Sequence, residues 1–310
     1  MKIIKYHKDS KQEWNNFLDR CKNKHFFFDR DFISYHDGRF EDFSLMIYHD
    51  NKLIALLPAN IQNHTIYTHQ GLTFGGVLYT NKMKLSIMIE LFQTLKEYLL
   101  KKNITKLIYK STPYIYHDKP SDDDTFALTQ NKATLLQTRL SSVIDLTKPI
   151  TYSNGRKHSL RKSSKLGFEI EKSNNFGTFW DILEQVLQTF HNSKPLHTKD
   201  EIQLLAKRFP KNIELFLVKK DGIIYAGAVA FVNQQTIKLQ YVANFQDGRK
   251  LGALDFLIDY LIKEVYKDKR YFDFGTSLDS DGELNLGLTD QKERFGASGV
   301  LNQTFEWSLS

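Results

Sequence analysis

The chain has 310 residues and a formal charge of +7, from 43 Lys and Arg against 36 Asp and Glu, a balance that suits anionic partners without choosing among them. With 41% hydrophobic residues, 23 Phe and 15 Tyr it has apolar bulk for two cores, which excludes a disordered chain. The single cysteine, Cys21, excludes an intrachain disulfide and a cysteine-built metal site, and is expected to be a buried packing residue.

In chain order, a strand over 2–7 is followed by helices near 10–21 and 29–36, then by strands over 43–49 and 52–60 around an Asp50-Asn51 turn. THQGLTFGGVLYT supplies a strand and a glycine turn, 82–101 a long helix, 104–110 a strand and 137–146 a closing strand. The segment 152–167, with GRKHSLRKSSKLG, reads as a basic helix, open either to holding an anionic substrate or to facing water.

A second pass begins with a strand at 168–172 and a helix at 176–191, whose Phe179, Ile182, Leu183, Val186, Leu187 and Phe190 predict one buried face. A helix over 198–209 opens on Thr198 with Glu201 three residues on, the pattern of a capping box, and Pro210 stops it. Strands at 213–219, 223–232 and 237–244 form a meander around the Asp221-Gly222 turn. A single helix over 251–267, the buried strand YFDFG and a closing strand at 300–307 complete the pass. The same order occurring twice predicts a duplicated α/β domain, with mixed, mostly antiparallel sheets flanked by helices. The seam is expected near Lys148-Pro149, giving domains 1–148 and 149–310.

Two stretches carry candidate chemistry. In NFQDGRKLGALDFLIDYLI, a helix start with free amides, Gly252 and the adjacent Arg249 and Lys250 make a phosphate seat; the plain alternative is a polar turn whose Gly252 only packs closely. Asp273, at the end of the YFDFG strand, is the first candidate for a base, because open α/β sheets bind ligands beyond the carboxyl ends of their strands; Glu283 and Glu293 follow. The DFG triplet lacks the accompanying kinase motifs, and the histidine spacings do not suit a metal, so no metal is expected. No apolar run approaches a membrane span and the first residues lack a signal-peptide core, so the expected compartment is the cytoplasm.

The meander with its loop-to-helix step resembles the second half of GNAT acyltransferases. The tail YFDFGTSLDSDGELNLGLTDQKERFGA, with Asp273-Phe274-Gly275 and Lys292-Glu293-Arg294-Phe295-Gly296, is similar to the FemAB-like branch of tandem GNAT proteins. The resemblance covers essentially the whole chain and implies two tandem GNAT-like domains, the second using acetyl-CoA or another acyl-CoA. It implies further that backbone at Val242, Ala243 and Asn244 polarises the acyl carbonyl and that Arg249, Lys250, Gly252 and Ala253 hold the cofactor phosphates. Leu254 departs from the Gly or Ala usual in that loop, and no Tyr follows Phe272 where many GNAT enzymes have their acid. Tyr114, Tyr116 and His117 of the first half are expected to serve instead, while its GLTFGG turn, with no basic residue expected nearby, implies no cofactor there.

The implied reaction is acyl transfer to an amine, with an amino-sugar of a surface-polysaccharide precursor as the acceptor class. The alternatives are an aminoacyl-tRNA-dependent peptidyl transferase of FemABX type in cell-wall synthesis, with tRNA as partner, and a non-catalytic GNAT-fold binding module.

Overall fold

The computed structural model describes residues 1–245, 247–278 and 282–309, His191 by its backbone alone. The chain forms two compact units, Met1–Arg139 with Leu301–Ser310, and Leu140–Val300.

In the first unit β1 (Lys2–Lys5), α1 (Lys11–Leu18) and α2 (Arg30–Ile33) precede β2 (Glu41–Asp42), β3 (Leu45–His49), β4 (Lys52–Leu57), β5 (Asn60–Gln62), β6 (Thr65–Tyr67) and β7 (Leu78–Tyr79). Then come α3 (Leu85–Leu100), β8 (Lys106–Lys110), α4 (Asp123–Gln130) and the first half of β9 (Thr134–Asp145). Strands β1, β3, β4 and β7 form an antiparallel sheet in that order. Asp50 and Asn51 both adopt positive φ, 48° and 58°, as a two-residue hairpin turn with the twist of its strands requires. The core stripe of α3 is Met88, Leu91, Phe92, Leu95 and Leu99, spaced to share one helical face, and it packs on Leu45, Ile47, Leu57 and Tyr109.

The second unit contains α5 (Asn154–Ser163), β10 (Glu169–Ser173), α6 (Phe176–His191), α7 (Lys199–Arg208), β11 (Ile213–Lys220), β12 (Ile223–Val232) and β13 (Thr236–Asn244). There follow α8 (Gly248–Leu251), α9 (Ala253–Tyr260), a π-helical turn Leu261–Val265, β14 (Tyr271–Thr276), α10 (Leu286–Glu293) and the start of β15 (Ser298–Ser308). Its sheet runs β10, β11, β12, β13, β14, then the second half of β9; β13 and β14 are parallel and the other pairs antiparallel. One face is packed by α9, through Ala253, Leu257, Ile258 and Leu261; α6 and α7 also contribute buried residues to the unit, Phe179, Trp180, Leu183, Ile202 and Leu205. The capping box of α7 is present in full, Thr198 Oγ1 receiving Glu201 N and Glu201 receiving Thr198 N.

Several expectations are corrected. The division falls at Arg139/Leu140 rather than near Lys148-Pro149, because 141–145 of β9 pair with β14 while the last residues return to the first unit. There Thr304 to Ser308 of β15 pair antiparallel with β8, and Phe305, Trp307 and Leu309 enter the core packed by α3. Helix 251–267 is interrupted at Gly252, whose φ of +71° ends α8 and starts α9, and it closes in a π turn. Phe190, expected in the buried face of α6, is 68% exposed, since the helix outruns the body beneath it. Cys21 is buried as expected, its Sγ donating to Phe17 O at 3.4 Å.

The first unit also buries titratable groups. Tyr109 Oη donates to Asp124 and accepts from Val77 N at 2.8 Å, and burial raises Asp124 to about 6. Burial lowers His69 and His117 to about 4.

Two outcomes follow for stability. Trp307→Ala, at a 1% exposed residue whose ring lies 5.8 Å from that of Phe92 and tilted against it, should cost about 3–5 kcal/mol in urea unfolding of the first unit, showing that the terminal strand belongs to its core. The unfolded chain protonates its histidines near 6.5 whereas folded His69 and His117 resist until about 4, so both favour unfolding as pH drops through that window. Asp124 acts in the opposite sense, keeping its proton up to about 6 when folded but only to 3.8 when unfolded, so its contribution is lost as pH rises through 6. Asp124→Asn should therefore steepen the fall of Tm between about pH 6 and 4; an unchanged slope contradicts this assignment.

Candidate active site

The site is built on the parting of two parallel strands. β13 and β14 are in register over Thr236↔Tyr271, Ile237↔Phe272 and Lys238↔Asp273. On its other side β13 stays paired with β12 as far as Ala226↔Asn244, with a bulge that leaves Gln240 between Ala230↔Leu239 and Val229↔Tyr241. A bulge raises local twist, and this one follows directly on the last pair with β14. From Leu239 onward the β14-facing edge of β13 has no strand partner among the described residues. Val242 is 40% exposed along this run, Ala243 buried and Asn244 half-buried, so the expected backbone stretch lies at the opening. Unpaired strand amides are strong donors, the kind a developing oxyanion requires.

β14 turns away at Gly275, φ +72°, where its register with β9 also slips. Asp273 is 2% exposed and its Oδ1 accepts Gly275 N at 2.7 Å. Lys292, 8% exposed on α10, donates Nζ to Gly275 O at 3.0 Å, Thr276 O at 2.8 Å and Ser277 Oγ at 2.9 Å, and burial lowers it to about 8. Ile237, Leu239, Phe272 and Phe274 join the core under α9, so the alternation of strands turns Lys238 and Asp273 to the opposite face. The Lys-x-x-Phe-Gly ending thereby acquires a physical meaning. Lys292 clamps the end of β14, Phe295 stacks on Phe274 at 5.7 Å, and Gly296 supplies φ +83° where a Cβ would stand 3.1 Å from Thr151 O.

Beyond Asn244 the chain enters two successive helix starts, α8 and α9, whose first amides have no intrahelical acceptor, although Gly248 N donates to Phe245 O at 2.9 Å. Gly248 is obligatory, because a Cβ there would lie 2.1 Å from Tyr225 O. Gly252 faces α5, with its would-be Cβ 3.1 Å from Ser159 Oγ. Asp255, in the first turn of α9, pairs with Arg156 and accepts Ser159 Oγ at 3.1 Å, so this helix start is partly served by its own carboxylate. Arg249 and Lys250 are exposed, Lys250 pairing with Asp247 at 3.1 Å, and Ala253 is buried. Arg156, 7% exposed and lowered to about 10 by burial, also donates to Gln291 O at 3.1 Å. The remaining basic residues of this stretch, Lys157, His158, Arg161, Lys162 and Lys165, are exposed.

The other candidates are placed differently. Glu283 and Glu293 are exposed, Glu293 at the end of α10. Tyr114, 43% exposed, and the buried Tyr116 and His117 belong to the first unit, around a 3-10 turn. In that unit the expectation that no basic residue lies near the GLTFGG turn fails: Lys110 Nζ donates to His69 O, Gln70 O and Leu72 O at 3.1, 3.3 and 2.8 Å. Lys238 and Lys292 were not singled out by sequence reasoning. A lysine inside the apolar strand TIKLQYVAN and the lysine of the C-terminal motif were the available signals. Among the described residues no group of side chains suited to a metal ion is found, and no helix is long and apolar enough to cross a membrane.

Residues 153–283 match the acetyltransferase (GNAT) domain family. No curated protein sequence matches the chain. Among solved structures the fold is similar to that of FemX, at TM-score 0.71 and 13% identity over 99% of this chain and 97% of the other. It is also similar to the C-terminal domain of a putative lysylphosphatidylglycerol synthetase from Agrobacterium fabrum, at 0.58 and 14% over 97% and 92%. A tandem GNAT protein from the clavulanic acid biosynthesis pathway matches at 0.55 and 8% over 100% and 98%. At these identities the likeness concerns the fold: two GNAT-like domains along the chain, as in FemX and the tandem GNAT protein, with residues 153–283 matching the acetyltransferase (GNAT) domain family.

Proposed function

We propose that the Leu140–Val300 unit transfers an acyl group from acyl-CoA to an amine at the opening between β13 and β14. The observation that carries this reading is the edge of β13 from Leu239 to Asn244, unpaired among the described residues, which leads from the half-buried Lys238 and the buried Lys292 to the helix starts of α8 and α9. Those amides, with Arg249 and Lys250, suit the diphosphate of the donor. A β13 amide would polarise the acyl carbonyl, and the field of Lys292 at the end of β14 would favour the negative charge that grows on its oxygen. Asp273, engaged with Gly275 N beside two lysines, acts on this reading as a positioning group. The exposed Glu283 or solvent then takes the amine proton. The acceptor class, an amino-sugar of a surface polysaccharide, rests on the resemblance of the sequence alone.

A second donor is favoured by one observation. The exposed Lys157, His158, Arg161 and Lys162 of α5, with Lys165 just beyond it, extend the basic surface from Gly252 farther than a diphosphate needs, which suits an aminoacyl-tRNA.

Acetyl-CoA at 100 times its Kd should stabilise the protein by about 2.7 kcal/mol, and Arg249→Glu with Lys250→Glu should weaken its binding about tenfold. Salt-sensitive binding of aminoacyl-tRNA with no response to any acyl-CoA would replace CoA as donor. Lys292→Met should lower kcat/KM about 100-fold; an unchanged kcat/KM removes Lys292 from the reaction.

A further inference from the structure

Two lysines and one carboxylate share the face on which β13 and β14 part, and the lysines are held differently. Lys292 spends its ammonium on Gly275 O, Thr276 O and Ser277 Oγ; an ammonium has three N–H donors, so none remains. Lys238, beside Asp273 in register, makes no hydrogen bond or ion pair among the described residues, although Asp273 is its electrostatic neighbour. Its Cε lies 3.6 Å from where a Cβ on Gly275 would stand, so its side chain runs across that glycine toward the end of β14. A half-buried ammonium with unused donors, in a cluster of two cations and one anion, is costly unless a further negative charge arrives. A monoanion closes the balance, whereas a phosphate dianion overshoots it.

We propose that Lys238 binds a carboxylate carried by one of the two substrates, close to the reacting carbonyl. The inference rests on the opening between β13 and β14 being the transfer site, and it narrows the substrate class of that site. The carboxylate belongs either to the acyl group, as in a dicarboxylic monoacyl donor, or to the acceptor, as in an amino acid or an acidic amino-sugar. Burial lowers the pKa of Lys238 and of Lys292 alike, as expected of cations awaiting a counter-charge.

The test compares binding of acetyl-CoA and succinyl-CoA, and of glycine and glycinamide in the presence of CoA, to the full chain and to Lys238→Met and Lys238→Arg. An acyl-borne carboxylate predicts succinyl-CoA tighter than acetyl-CoA by at least about tenfold in the wild type. An acceptor-borne one predicts that glycine, but not glycinamide, raises Tm. Lys238→Met should abolish whichever preference is found while keeping acetyl-CoA affinity and melting no lower than the wild type, and Lys238→Arg should retain it. No preference in the wild type, or the same preference in Lys238→Met, overturns the inference. Failure of every CoA compound to bind counts against the proposed donor instead. Glycine and succinate against their amides then decide the inference: stabilisation of the wild type but not of Lys238→Met upholds it, and no difference overturns it.

Discussion

The ammonium of Lys292 is the contact on which the second unit's working end depends. By holding Gly275 O, Thr276 O and Ser277 Oγ it gives partners to oxygens at the end of β14, where the register with β9 slips. An unsatisfied buried carbonyl there would cost about 1–3 kcal/mol, so the strand end is fixed rather than frayed. With that end held and Gly275 turned to positive φ, β14 departs from β13, whose own bulge at Gln240 follows directly on their last pair. The opening is thus a consequence of three local features, each visible as a residue: a lysine, a glycine and one extra strand position.

Burying such a clamp requires charge compensation. Asp273 offsets part of the positive charge of Lys238 and Lys292, and its Oδ1 fixes the Gly275 amide at 2.7 Å. The same carboxylate that sequence position suggested as a base thus also holds the strand end, through Gly275 N. The helix starts after Asn244 show a similar economy, since Asp255 and the buried Arg156 join α9 to α5 while leaving Arg249 and Lys250 outward.

Much of the fold was legible because local chemistry decided it. The capping box at Thr198 and Glu201, the Asp221-Gly222 turn with φ of 49° and 76°, and the apolar runs of the meander each demand one conformation. The seam was not legible, because the apolar alternation of 300–307 marks a buried strand without naming its partner, and long-range pairing alone sends it back to β8. Gly252 was placed inside one continuous helix over 251–267, yet its left-handed backbone splits that span. Phe190 fits the helical period but lies beyond the body that α6 covers. At the site, glycines and loop cations were legible as a phosphate seat, whereas Lys238 and Lys292 became visible only through the register Lys238↔Asp273 and the return of α10 over β14.

The account stands or falls on whether the donor lies along the unpaired edge of β13. Amide hydrogen exchange with and without CoA measures this directly. Protection gained at Leu239 to Asn244 and across Arg249 to Leu254, with the β11 and β12 amides unchanged, is the predicted result. Binding of CoA that leaves those two stretches unprotected, or protects only surfaces elsewhere, would contradict it.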